Sequence, residues 1–328
     1  MDRSLLRYIS RRALQIPFLL VGITILSFFI FYLSPIDPVV AYFGIETVNK
    51  MPVSDIALVK DELGLNKPII IRYEAWFLRI THGDLGFSQI QHRPVLDTIL
   101  EKFPATLLLT IPAYLGAMLC AIVFGLYATA KEGSLFDRTM TGVSYILYAT
   151  PTFLVALLFM LIFAVWLGWL PASRMESVTA QSTILTMLID RIRHLILPVT
   201  VLAMSHFTIF YGYIRSSLSD SMREDYITTA RAKGLDEKTI LYKHAFKNSL
   251  LPFITQVGLA IPYFIAGSVV VETIFAWPGI GRLTFEAAMR SDYMLLMGIT
   301  LFTSIIVILG NLFADVAYAV VDPRVRYE

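Results

Sequence analysis

The sequence predicts an all-α integral membrane protein with six transmembrane helices. Three observations predict it: a composition rich in apolar residues, apolar runs long enough to cross a bilayer, and one polar, helix-competent stretch set between the later runs. Hydrophobic residues make up 56% of the 328 residues and charged residues only 16%, with a mean hydropathy of +0.67, outside the range of soluble domains. A net charge of +2, with no basic tract interleaved with aromatics, excludes a nucleic-acid partner. The single cysteine, Cys120, lies inside an apolar run, so no disulfide forms within the chain.

Residues 1–12 carry Arg3, Arg7, Arg11 and Arg12, and the apolar run 13–33 behind them is long enough to cross ~30 Å of hydrocarbon. A signal peptide is the competing reading. The run is followed by Ser34, Pro35, Ile36, Asp37 and Pro38 without a small-x-small cleavage site, which favours a retained helix. Residues 34–103 then change character, with scattered charge and turn signals at Gly64, Gly83 and Gly86, and form an insert outside the membrane, too broken for an independent enzyme domain.

Apolar runs recur at 105–130, 140–170, 195–214, 250–276 and 293–321, which brings the total to six within a core of residues 104–321. Pro112, Pro151, Pro198 and Pro262 interrupt backbone hydrogen bonding in these runs, which a membrane tolerates only where neighbouring helices or water satisfy the freed carbonyls. With both termini inside, 15 Lys and Arg fall on the cytoplasmic side, including Arg324 and Arg326 of the tail 322–328. The short outer loops then hold only Arg174, Arg191, Arg193, Arg282 and Arg290, so the positive-inside rule favours an N-in, C-in chain.

That topology puts residues 216–249 in the cytoplasm. They read as two short helices meeting at Gly234, which suits a left-handed helix end, with Asp236 placed to cap the second. Met222, Tyr226, Thr229 and Ala230, then Ile240, Leu241, His244 and Ala245, give each helix one less polar face. Six basic and five acidic side chains nearly balance, which argues against a polybasic lipid clamp and for a protein partner; an amphipathic helix resting on the membrane is the competing reading.

No phosphate-cradling G-x-x-x-x-G-K-[ST], zinc-protease H-E-x-x-H, paired C-x-x-C or G-x-S-x-G is present. His82, His92, His194, His206 and His244 form no ligand cluster by spacing, so neither a metal site nor a catalytic residue is expected. Span interiors are nearly free of charge, Glu272 and Asp315 being the main exceptions, both near helix ends, which weighs against an ion-coupled carrier.

The pattern Thr228, Thr229, Ala230, x3, Gly234 resembles the EAA loop of bacterial ABC-importer permeases, with Thr228 and Thr229 standing where the general pattern has Glu and Ala. The run ARAKGLDEKTILYKHAFKNSLLP, together with RRALQIPFLL, ELGLNKP, GDLGFS, FPATLLLT, ETIFAWPGIGRL and DPRVR, is similar to the B-type subunit of the dipeptide, oligopeptide and nickel permeases over nearly the whole chain. The resemblance implies a type I ABC-importer permease-like fold in a bacterial or archaeal cell membrane, the inner membrane in a Gram-negative cell. It implies a second homologous permease, two ABC ATPase subunits that carry the ATP and Mg, an extracytoplasmic substrate-binding protein and the bilayer as partners, and no cofactor on this chain. Asp225, Tyr226, Thr229, Ala230, Arg231, Ala232, Gly234 and Leu235 would couple to the ATPase. Glu272, Phe275, Trp277, Pro278, Gly279 and Arg282 would form the outer gate or meet the binding protein; Trp277 also suits an aromatic belt. Peptide is the expected cargo, nickel or a metal chelate the alternative, and an ATP-independent carrier the reading from another class.

Overall fold

A computed structural model describes residues 3–33, 38–62, 66–177, 183–259 and 261–321. The tail 322–328, Ser34 to Asp37 at the start of the insert, and the turn signal Gly64 lie outside the described residues. In chain order the helices are α1 (Arg3–Tyr32), α2 (Pro38–Phe43), α3 (Ile45–Val48), α4 (Val53–Glu62), α5 (Ile69–Thr81), α6 (Val95–Ala130), α7 (Leu135–Ala149) and α8 (Thr152–Phe159). They continue with α9 (Ile184–Ser221), α10 (Asp225–Ala232), α11 (Glu237–Thr239), α12 (Phe246–Leu259), α13 (Ile261–Ile274), α14 (Ile280–Met289) and α15 (Tyr293–Val321). Short strands β1 (Phe87–Ser88) and β2 (Arg93–Pro94) pair antiparallel, Phe87 opposite Pro94 and Ser88 opposite Arg93.

Among the described residues, four helices hold a segment long and apolar enough to cross a membrane: Ser10–Ile30 in α1, α6, α9, and Tyr293–Val316 in α15. The run 140–170, expected as one span, is instead a pair, α7 and α8, bent by 105° at Thr150 and Pro151. Pro151 supplies no amide and drives the preceding Thr150 into extended backbone (φ −88°, ψ 123°), so α7 ends there. After α8 the chain continues as wider π-helical turns over Met160–Trp166. The run 250–276 comprises α12 and α13 on either side of residue 260, which lies outside the described residues.

The chain forms two compact units. The first comprises Met1–Ile9, Leu107–Trp277 and Gly310–Glu328. Its core is built on α9, whose Phe210, Tyr211, Ile214 and Leu218 pack with Ala117, Ala121 and Ala128 of α6 and Phe253 of α12. The small side chains of α6 let the helices approach closely, which is how helices associate where lipid supplies no hydrophobic drive. Gly125 marks the tightest approach, since a Cβ there would lie 2.6 Å from Cγ2 of Ile214.

The second unit comprises Ser10–Thr106 and Pro278–Leu309. Phe28 of α1, Trp76 of α5, and Met297 and Leu301 of α15 form one apolar cluster, and Thr24 and Tyr73 share a hydroxyl hydrogen bond of 2.9 Å. Of the insert, α5 thus buries its Trp76 face within this unit. Its hairpin is held by the buried carboxylate of Asp292, which accepts hydrogen bonds from Ser88 Oγ (2.7 Å), the Ile90 amide (3.1 Å) and the Leu295 amide (3.0 Å).

Candidate functional site

Residues 216–249 are continuous with the largest helix of the first unit. At 1.5 Å per residue, the 38 residues of α9 extend roughly 57 Å, well beyond ~30 Å of hydrocarbon. The helix is therefore longer than one crossing needs, and the short α10 follows its C-terminal end.

Two apolar side chains root α10. Ile227 is fully buried and Ala230 nearly so, packed in the same cluster as Ile240, Leu241 and Ala245. The spacing groups Ala230 with Tyr226 and Thr229 on one less polar face and does not single out Ile227; Tyr226 and Thr229 are exposed, whereas Ile227 and Ala230 are buried. Three hydroxyl contacts reinforce the root: Ser221 bonds to Tyr226 and donates to the Ala245 carbonyl (3.2 Å), and Ser249 donates to the Ser217 carbonyl (3.0 Å).

The end of α10 closes as a Schellman motif. The Gly234 amide donates to the Arg231 carbonyl (3.0 Å), the Leu235 amide to the Ala230 carbonyl (3.3 Å), and Gly234 takes the left-handed conformation with φ +80°. Asp236 then caps α11 by accepting from the Thr239 amide (3.2 Å). Arg231 spans the turn with a two-pronged bond to Glu237, at 2.7 and 3.1 Å. Hydrogen bonding to Thr239 holds the Asp236 carboxyl below its ordinary range, and the Arg231 guanidinium does the same to Glu237. Beyond α11, π-helical turns over Ile240–Ala245 lead directly into α12, so the second short helix of the sequence reading is the foot of the next long segment.

Asp225, Tyr226, Thr229, Arg231, Ala232, Gly234 and Leu235 all face outward on this turn, whereas Ala230 points into the protein. The result is a short helix with a fixed foot and a mixed polar face, suited to seating in a groove of another protein. Its base is tied by charge as well. Arg215 Nε and Nη2 each lie 3.1 Å from an oxygen of Asp137, Nη2 is 3.6 Å from Glu132, and Arg223 is 3.9 Å from the same Glu132. The sequence held a signal for Asp137: Ser134 and Asp137 form an S-x-x-D pattern before an apolar run, and Ser134 Oγ accepts from the Asp137 amide at 3.3 Å.

The segment around Trp277 crosses from one unit to the other. In the first unit Glu272, Phe275 and Trp277 are buried, the Trp277 amide donates to the Glu272 carbonyl (2.8 Å), and the Phe275 carbonyl accepts from the Arg174 amide (2.8 Å). Fully buried, Trp277 does not sit in an interfacial aromatic belt, and Glu272 is not an exposed boundary residue. In the second unit Pro278 precedes Gly279, which starts α14; the Ile280 amide donates to Thr106 Oγ1 (2.8 Å), and Arg282 pairs with Glu286 at 2.7 Å. Among the described residues no group of three or more His, Cys, Asp or Glu is placed to hold a metal.

The family described as the inner membrane component of binding-protein-dependent transport systems matches residues 121–327, and its N-terminal membrane component matches residues 5–110. The chain belongs to this family of transport permeases. It is 40% identical to the oligopeptide transport system permease protein AppB of Bacillus subtilis, over 98% of this chain and 99% of that protein. It is 35% identical to the dipeptide transport system permease protein DppB of Escherichia coli K12, over 99% of this permease and 100% of the relative. Among solved structures, the inward-facing MetNI methionine ABC transporter aligns with a TM-score of 0.54 at 13% identity, covering 69% of this permease and 96% of the matched chain. That likeness assigns the fold: a type I ABC-importer permease, mostly helical.

Proposed function

We propose that this permease forms half of the translocation pathway of an ATP-driven importer of di- or oligopeptides, and that α10 and the turn behind it transmit ATP hydrolysis from a partner subunit. The observation that carries the coupling role is the construction of α10: Ile227 and Ala230 fix it to the core of the first unit while seven candidate residues stay open to a partner. A ligand drives a conformational change only through differential binding, so a lever of this kind needs a rigid foot and a free face. The cargo reading is supported by the relatives above, an oligopeptide and a dipeptide permease, which favour peptide over nickel or a metal chelate.

In this reading the chain crosses the membrane six times with both ends inside, and the bent α7 and α8 count as one span. ATP and Mg sit on two ATPase subunits, a second homologous permease completes the pathway, and an extracytoplasmic binding protein delivers the cargo to the outer segment of residues 272–282. The test is uptake by the purified assembly in proteoliposomes. Peptide uptake that requires ATP and the ATPase subunits is the expected result; uptake by this chain alone, driven by an ion gradient, refutes the reading.

A further inference from the structure

Within the first unit, α7 and α9 line an open cavity of about 640 Å³ that does not involve α10. Its walls follow helical spacing: Thr141, Tyr145 and Tyr148 on α7, and Thr208, Gly212 and Arg215 on α9. Tyr145 and Tyr148 project from α7 with 71% and 72% of their surface open. Hydroxyls on a membrane helix face a water-filled space or another polar group rather than lipid tails. Thr141, Thr208 and Gly212 are small enough to admit another helix, but the two exposed tyrosines beside them hold a neighbour away.

We infer that this groove is a transit site of the importer, one that binds the peptide main chain while remaining indifferent to its side chains. The inference rests on the peptide-import reading above and assigns a place and a chemistry to the passage. A peptide brings one donor and one acceptor per residue. The exposed Tyr145 and Tyr148 hydroxyls serve both roles and their rings accept apolar side chains by contact, whereas Thr208 gives its own proton to the Ser205 carbonyl (3.1 Å). The volume lies within the ~300–1,000 Å³ of small-molecule sites. The one cation lining the groove, Arg215, is bound by Asp137 and Glu132, and Glu132 also faces Arg223, so the cluster holds two charges of each sign. A wall balanced in this way rejects neither acidic nor basic peptides.

Gly212 makes the groove testable, because a Cβ there would meet nothing within 4 Å. Gly212→Trp should therefore leave the fold intact and occupy the passage. In the assembly co-purified with this chain, Gly212→Trp should lower tetrapeptide uptake by at least about tenfold and dipeptide uptake less, while ATP hydrolysis stimulated by loaded binding protein stays within about twofold of wild type. In a Cys120→Ser background, Tyr148→Cys should react with a hydrophilic maleimide, and the adduct should block uptake. Unchanged tetrapeptide uptake in Gly212→Trp, loss of the second permease from the purified assembly, or a Tyr148→Cys thiol that reacts only with lipid-soluble reagents each overturns the transit site. Wild-type assemblies that import no peptide refute the function itself; there wild type and variant fail together, which separates the two results.

Discussion

Arg215 and Asp137 are 78 residues apart in the chain and meet through two parallel hydrogen bonds of 3.1 Å, with only 17% and 11% of their side chains exposed. The pair ties the start of α7 to the last turns of α9, at the edge of the groove that Arg215 lines. Removing one partner of a shielded pair strands the other charge, which costs roughly 3 kcal/mol, whereas replacing both with apolar groups costs much less. Asp137→Asn or Arg215→Met should each lower the Tm of the purified permease by several degrees, and the Asp137→Leu, Arg215→Met double variant should recover most of it. Additive losses in the double variant would contradict this.

Ala230 and Ala232 lie two residues apart on α10 and should respond oppositely to glutamate. Ala230 is buried in the core cluster, so Ala230→Glu buries an unpaired charge and costs several kcal/mol. Its outcome is less folded protein. Ala232 is exposed, so Ala232→Glu should leave the amount in the membrane unchanged while reducing retention of the ATPase subunits on a column. The sequence reading placed both among the coupling contacts; burial separates them.

At Gly234 there is room for a side chain but not for its backbone. Nothing lies within 4 Å of an added Cβ, yet φ is +80°. Gly234→Val should cost about 1–2 kcal/mol and disturb the angle between α10 and α11, lowering ATP-driven uptake. Gly234→Asn, which tolerates the left-handed region, should restore most of it. Equal losses in both variants would point away from backbone conformation.

Asp292 should be the critical residue of the hairpin. Asp292→Ala abandons the Ser88 hydroxyl and two amides, one of them buried, at roughly 2–4 kcal/mol, and Ser88→Ala about 1 kcal/mol. Limited proteolysis within residues 87–94 should be markedly faster in Asp292→Ala and only slightly faster in Ser88→Ala.

The turn after α10 should loosen in acid. The Asp236 and Glu237 carboxyls lie below their ordinary values of 3.8 and 4.5 in the folded chain, so the stabilisation they bring is fully present above those values and is lost as the pH falls through the lowered ones. Amide exchange at Thr239 should show unchanged protection from pH 7 down to about pH 5 and a loss of protection, after correction for intrinsic rates, only below about pH 4. A loss centred near pH 6 would assign the effect to another group.

Much of this protein was legible in the sequence because lipid imposes a composition that water does not: runs of about 20 apolar residues announce spans, and glycine and aspartate at 234 and 236 announce the end of one helix and the start of the next. The turn at Gly234 and the cap at Asp236 follow from local chemistry of this kind, and the family from the resemblance of motifs spread over the chain. Tertiary structure decided what depends on partners distant in the chain. Thr150 and Pro151 divide the third run into a bent pair, Ile227 joins Ala230 in rooting α10, Trp277 is buried instead of lying in a belt, and Arg215 finds Asp137. The physical reason is that periodicity tells which residues share a helix face but not what that face meets, and in a membrane protein an apolar face fits lipid and core alike.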